Sequence, residues 1–317
     1  MDNFWQKLKK KKKDKPILAL APLAGFTDSA FRYICKSYGA DVVYSEMASV
    51  TALNYNPDKT LKLLEFNKKE RPYVVQIFGS DVNHFAKAVK ILDKKINPDG
   101  YDINFGCPVK KVLKQGAGAK LMSNLELSKK IIETVLKNTK KPLSVKIRAK
   151  SFSVGALDFV KNIADLKVAA IMVHGRTLNQ LFTGPIDLKL IKEIKNIFPG
   201  LVLANGGIES FKDVNKIIKE TGVDGVGFGR GALGRPWIFS EKLSNLNKKE
   251  LRELVIKNSI KQLKMTKKNK GELGLGEFKG HLSWYFKDFS GASKMRSEIM
   301  KTSSFLELER LLKSGII

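Results

Sequence analysis

Short apolar runs recur along the first three quarters of the chain, separated by longer stretches whose apolar residues return every three or four positions. The runs occupy 17–21, 42–45, 73–78, 101–104, 143–147, 170–174, 201–205 and 225–229. Four to six residues rich in Val, Ile, Leu and Tyr predict strands, and the amphipathic stretches between them predict helices. In 28–38, for example, Phe31, Ile34, Cys35 and Tyr38 share one helical face, which makes Cys35 a core residue. Strand–helix alternation predicts a parallel sheet, and eight such units within 17–240 fit a closed (β/α)8 TIM barrel better than an open doubly wound sheet.

The residues at the ends of these runs point the same way. Pro22, Glu46, Gly79, Cys107, Arg148, Gly175, Gly206 and Arg230 all come just after strand ends. In a barrel those ends converge on one face, where the loops build a site. The pattern then changes, because residues 241–317 contain no further strand runs. Leu251, Leu254 and Val255 form one apolar helical stripe, and Leu308, Leu311 and Leu312 form another. Ser304 with Glu307 has capping-box spacing. A small helical domain is expected there. Residues 1–16 carry five consecutive lysines, Lys9 to Lys13, and no apolar signal-peptide core. They read as a solvated, partly frayed basic arm, with RNA contact as the alternative.

Charge narrows the class of partner. The 58 Lys+Arg against 31 Asp+Glu give a formal net charge of +27. A polyanion, nucleic acid first and an anionic membrane surface second, is the natural counterpart. A general lysine bias is the plainer explanation, since Lys greatly outnumbers Arg. The excess is spread: residues 241–317 hold 17 basic and 9 acidic residues, and the barrel region is also positive. Two cysteines, Cys35 and Cys107, are too few for a disulfide framework or a zinc site, so a reducing, cytoplasmic setting without metal is expected. No apolar stretch is long enough to span a membrane.

The segment with the most chemistry is Asp102-Ile-Asn104-Phe-Gly-Cys107-Pro108-Val-Lys110-Lys111, followed by the glycine-rich Gly116-Ala-Gly118. It places a thiol in a Gly/Pro-bounded turn at a strand end. With an ordinary pKa near 8.5, such a thiol is mostly protonated at neutral pH, so it can act as a general acid as well as a nucleophile. A small buried hydrophobe at a tight turn is the alternative.

The Asn-x-Gly-Cys-Pro segment resembles the signature of tRNA-dihydrouridine synthases, and other motifs agree in order. They are Leu20-Ala-Pro22-Leu-Ala24-Gly25-Phe-Thr27-Asp28, Ser45-Glu46-Met47, Gln76-Ile-Phe-Gly79, Val145-Lys146-Ile-Arg148 and Val173-His174-Gly-Arg176-Thr177. Ala204-Asn205-Gly206, Gly227-Phe-Gly229-Arg230-Gly231, His281-Leu-Ser-Trp284-Tyr285 and Lys294-Met-Arg296 continue the series. The resemblance implies a barrel that holds FMN, with NADPH or NADH as reductant, and a helical domain that grips tRNA. It implies reduction of the uracil C5–C6 bond of a D-loop uridine by flavin hydride, with Cys107 as general acid. A monomer, the usual form of the family, is expected. By the same resemblance Pro22, Leu23, Ala24 and Gln76 line the flavin ring, and Lys146 meets its N1/O2 edge. His174 lies close to the ring, while Asn205, Gly206, Gly229 and Arg230 hold the phosphate. Asn104, Lys111, Arg148 and Arg176 are expected to contact the RNA.

Other readings compete at particular positions. Gly229-x-Gly231-x-x-Gly234 matches a dinucleotide fingerprint, but it comes after the eighth run rather than opening a βαβ unit, and reads as a phosphate-cradling turn. Lys146 alone could be a Schiff-base lysine. His84 and His281 lack metal-ligand spacing, and Glu46 could be catalytic or bond backbone. A flavin barrel acting on a free pyrimidine, of the dihydroorotate or dihydropyrimidine dehydrogenase kind, leaves the basic tail without a task. A non-catalytic RNA-binding barrel leaves Cys107, Lys146, His174 and Arg230 without one. The chain departs from the family pattern at Ala149-Lys150-Ser151-Phe152, where Gly-Trp is common, at Leu178 in place of Arg, and at Gly207 in place of Asp.

Overall fold

The computed structural model describes residues 2–287 and 289–314. Eight parallel strands close into a barrel: β1 (Ile17–Leu20), β2 (Val42–Tyr44), β3 (Tyr73–Phe78), β4 (Gly100–Asn104), β5 (Leu143–Arg148), β6 (Ala170–His174), β7 (Leu201–Asn205) and β8 (Gly225–Phe228). Each strand pairs with its successor, and β8 returns to β1 with Ile17 opposite Gly225. Traced from pair to pair, the register comes back to β1 displaced by eight residues, the stagger of a TIM barrel.

Side chains alternate along each strand, and the two sets go to different layers. Outward residues such as Leu18, Val75, Ile103, Val145, Ile171 and Val202 pack under the surrounding helices. These include α2 (Ser29–Ser37), α3 (Val82–Lys95), α4 (Leu125–Asn138), α5 (Ala156–Ile163), α6 (Leu188–Ile197) and α7 (Phe211–Thr221). Cys35 is fully buried on α2, as its place on the apolar face predicts. The inward set is apolar at the N-terminal end, with Ile17, Ala19, Val42, Tyr44, Val74, Ala170, Met172 and Leu203. Two residues further along the same faces it turns polar at Gln76, His174 and Asn205, while β4 and β5 turn polar earlier, with Asp102 and Ser144 below Asn104, Lys146 and Arg148. This switch along the inward positions makes the C-terminal mouth chemical and the base inert.

The N-terminal arm differs from the expected solvated segment. Residues Phe4–Lys12 form helix α1, with Asn3 as a capping-box N-cap. Trp5 is buried to 1% exposure against the inward residues of the barrel base, joined by Phe4 and Leu8. Lys9 pairs with Asp224 at 2.9 Å and Lys12 with Asp41 at 2.7 Å. The lysine run is thus the wet face of an amphipathic plug. A helix with one buried aromatic and a polar remainder carries too weak a periodic signal to stand out.

After β8, short 3-10 turns lead into four helices, α8 (Lys248–Lys270), α9 (Leu275–Tyr285), α10 (Ala292–Lys301) and α11 (Phe305–Lys313). Phe278, Leu282, Phe286, Ile299, Phe305, Leu308 and Leu312 make a separate core, which Trp237 joins. Ser304 caps α11 as its spacing predicts, but the Glu307 carboxylate bonds Ser303 rather than the N-cap amide. This region docks on α2 through Tyr38, whose hydroxyl exchanges hydrogen bonds with the Asn258 amide (3.1 and 2.9 Å).

Candidate active site

A cavity of about 680 Å³ opens at the C-terminal mouth, walled on one side by Leu251, Trp284, Tyr285, Lys287 and Phe289 of the helical region. Pro22, Leu23, Ala24, Gln76, Asn104, Cys107, Lys146, Arg148, His174, Arg176, Asn205, Gly206, Gly229 and Arg230 all line it. Lys111 does not: it lies exposed on the short helix Lys110–Lys114. Glu46 sits outside the lining, where its carboxylate accepts from the Gly25 amide and braces the β1 loop. Of the two remaining histidines, His84 meets Thr51 Oγ1 (3.3 Å) and His281 is buried against Phe26 and Phe31.

Several fixed contacts hold the loops. Buried Arg32 donates to Glu70 (2.6 Å) and to the carbonyls of Thr27 (2.6 Å) and Glu65 (2.8 Å), anchoring the turn after Pro22–Ala24. Arg148 donates to the carbonyls of Gly106 (2.7 Å), Thr177 (3.0 Å) and Leu181 (3.0 Å), tying the β4 loop to the β6 loop. The Cys107 carbonyl accepts from the Ala119 amide at 3.1 Å. Gly118 there adopts φ +61°, and a Cβ would stand 2.9 Å from that carbonyl, so only glycine suits the turn.

The electrostatics are lopsided. Lys146 lies between the Arg148 guanidinium and the Asp102 carboxylate, and its ammonium donates to Asn205 Oδ1 at 3.1 Å. Burial, helped by Arg148, pulls its pKa down to about 8. His174 is neutral: burial, then Lys146, Arg148, Arg176 and Arg230, depress it to about 2. Burial raises the Cys107 thiol, against the pull of Arg148 and Lys146, so the protonated thiol persists. Gly206 has φ +104°, and a Cβ would lie 2.6 Å from the His174 ring. Arg230 stacks on Phe182 with its guanidinium 4.5 Å from the ring centroid. The arrangement has cations in excess of buried carboxylates, a thiol acid, and a glycine-lined floor between Asn205 and Arg230. It suits a flat anionic group with a phosphate tail.

Known proteins share both the sequence and the fold. The family model described as dihydrouridine synthase matches residues 19–314. A probable tRNA-dihydrouridine synthase of Helicobacter pylori is 35% identical over 290 residues, covering 90% of this chain and 87% of the relative. This chain belongs to the dihydrouridine synthase family. The tRNA-dihydrouridine synthase B of Shewanella oneidensis is 34% identical, over 84% of this chain and 85% of its own length. In fold, the chain resembles the old yellow enzyme homologue from Zymomonas mobilis, with a TM-score of 0.52 at 14% identity over 69% and 86% of the two chains.

The mouth also holds residues that periodicity did not single out for chemistry. Met47, Phe182, Glu209 and Lys287 line the cavity. Phe182 had a signal, the one aromatic in the loop after His174-Gly-Arg176. Lys287 had none, because its place depends on how the helical region docks. The Gly229–Gly234 segment is a 3-10 turn after β8, and a Cβ at Gly231 would meet the Ile208 carbonyl at 2.2 Å. It is a tight loop closure rather than the opening of a βαβ unit. Among the described residues no helix is long and apolar enough to cross a membrane, and no group of three or more His, Cys, Asp or Glu could hold a metal.

Proposed function

We propose that the protein reduces the C5–C6 double bond of uridine in the tRNA D-loop to 5,6-dihydrouridine. It would use FMN, NADPH as the reductant and a cysteine acid, working as a cytoplasmic monomer. The observation that carries the reading is the presence of a protonated Cys107 thiol and the half-buried Lys146 ammonium in one cavity, within a chain of this family.

The residues present fit FMN. Lys146 is a half-buried cation whose hydrogen bond goes to a neutral amide, so an electron-rich ring edge beside it relieves an unfavourable charge. Asn205, Gly206, Gly229 and Arg230 would hold the phosphate, at the loops after strands 7 and 8 where barrels commonly place one. When bound, FMN supplies the hydride that reaches C6 of the pyrimidine. Cys107 Sγ holds the proton destined for C5, and burial keeps it there at neutral pH. Neutral His174 offers a ring nitrogen without adding another cation to the wall. Asn104 and Arg176 would contact the uridine and its backbone, and Arg148 the same region while it braces two loops. The base must leave the RNA stack to enter the mouth. The helical region 241–317 would orient the tRNA through its basic surface.

Purified protein should release a yellow flavin and form dihydrouridine in unmodified tRNA with NADPH. Cys107→Ala should retain flavin and tRNA binding while turnover falls by about 10²–10⁴-fold, the usual weight of a general acid. Inert tRNA combined with reduction of free uracil or orotate would point to the free-pyrimidine enzyme instead. Absence of flavin after reconstitution would end the proposal.

A further inference from the structure

Beneath the cavity floor runs a line of hydrogen bonds with one direction. The Asp102 carboxylate, fully buried, accepts from Ser144 Oγ (2.6 Å) and from Gln76 Nε2 (2.7 Å). Gln76 Oε1 accepts from Asn104 Nδ2 at 2.8 Å. Asn104 Oδ1 in turn accepts from the backbone amides of Gly106 (3.0 Å) and Cys107 (2.9 Å). Both ends demand the same polarity. An ionised carboxylate accepts and cannot donate, so Gln76 must turn its NH₂ toward it and its oxygen away. The loop amides only donate, so Asn104 must offer them its oxygen. A reversed Gln76 would set its oxygen against the carboxylate, and a reversed Asn104 would set its NH₂ against two N–H groups.

We propose that Asp102 is a positioning residue for the reaction: its charge fixes the orientation of the Gln76 and Asn104 amides and thereby holds the Cys107 loop in place. Asp102 touches neither the cavity nor the thiol, so it acts through the two amides. Protonation would let the carboxyl donate to Gln76, turn that amide over and set its NH₂ against the Asn104 NH₂, which loosens the acceptor beneath Gly106 and Cys107. The groups facing Asp102 are Gln76 from β3, Ser144 and Lys146 from β5, and Tyr44 from β2. Burial outweighs the hydrogen bonds and Lys146, and raises the Asp102 pKa to about 6. Protonation of Asp102 therefore sets in just below neutral pH.

The turnover part of this inference rests on the proposed activity, whereas the loop part does not. The full chain is compared with Asp102→Asn, which is close in size and uncharged, and with Asp102→Leu, which removes both acceptors. Iodoacetamide reads Cys107 alone in the folded protein, because Cys35 is fully buried. Both variants should alkylate at Cys107 several-fold faster than the parent while melting cooperatively and still holding FMN. Dihydrouridine kcat should fall ~10- to 100-fold, the range an ångström-scale misplacement produces, with KM for tRNA little changed. The kcat–pH profile of the parent should show an acid limb that Asp102→Asn lacks. A parental alkylation rate and a retained acid limb in Asp102→Asn would overturn the proposal. Proportional loss of melting temperature, flavin and turnover in both variants would also overturn it, by reducing Asp102 to a core residue. Altered alkylation in a protein whose parent makes no dihydrouridine would sink the activity and keep the positioning role.

Discussion

Lys146 and His174 share a wall with Arg148, Arg176 and Arg230, and burial drives both toward their less charged forms. The Lys146 pKa is lowered, so below about 8 the lysine is charged in both folded and unfolded chains and its penalty is complete at pH 7. The penalty is relieved as pH rises from about 8 toward the unfolded value. Lys146→Met should therefore stabilise the flavin-free protein at pH 7 by up to about 3 kcal/mol in urea unfolding, and abolish FMN binding. The His174 pKa is likewise lowered, so its contribution is present above the unfolded value near 6.5 and is lost as pH falls. Stability of the parent relative to His174→Gln should drop by roughly 1.4 kcal/mol per pH unit below ~6.5. A flat difference between pH 7 and 5 would contradict neutral burial of this histidine.

Helix α1 is the element whose role the lysine run conceals. It closes the N-terminal end of the barrel, remote from the mouth, with Trp5 as its apolar anchor. Trp5→Ala should destabilise the protein by about 3–5 kcal/mol in chemical unfolding, the usual range for a buried aromatic. Lys7, Lys11 and Lys13 are exposed on or just after the helix. Replacing all three by alanine should leave KM for tRNA nearly unchanged, because they face away from the cavity. A large rise in KM would restore the RNA-contact reading of the arm.

At the scale of the whole molecule, the helical region is joined to the barrel by a polar seam. Tyr38 meets Asn258, and Lys270 approaches Asp28 at 3.5 Å. This seam sets the wall formed by Trp284 and Lys287 over the mouth. The +27 charge is spread over both parts, so tRNA should be bound largely through its phosphates. Affinity measured by filter binding should fall on the order of tenfold or more between 50 and 200 mM salt, while FMN retention hardly changes. A salt-insensitive tRNA affinity would mean that the basic surface is compositional rather than functional.

Strand and helix positions were legible in the chain because burial imposes period 2 on strands and about 3.6 on helices, and these runs are long enough to show it. All eight strand runs coincide with strands to within a residue at each end. The polar residues closing those runs were legible as a site because a barrel brings its strand ends together. Asp102 stood inside the motif with Asn104 and Cys107, yet its task was hidden. The hydrogen bond that defines it comes from Gln76, 26 positions away. The same holds for the Trp5 plug, for Phe182 under Arg230, and for the placement of Lys287. Periodicity is a local property written in neighbouring residues, whereas an amide's direction, a buried anchor and a docked wall depend on contacts between distant segments, which exist only once the barrel has closed.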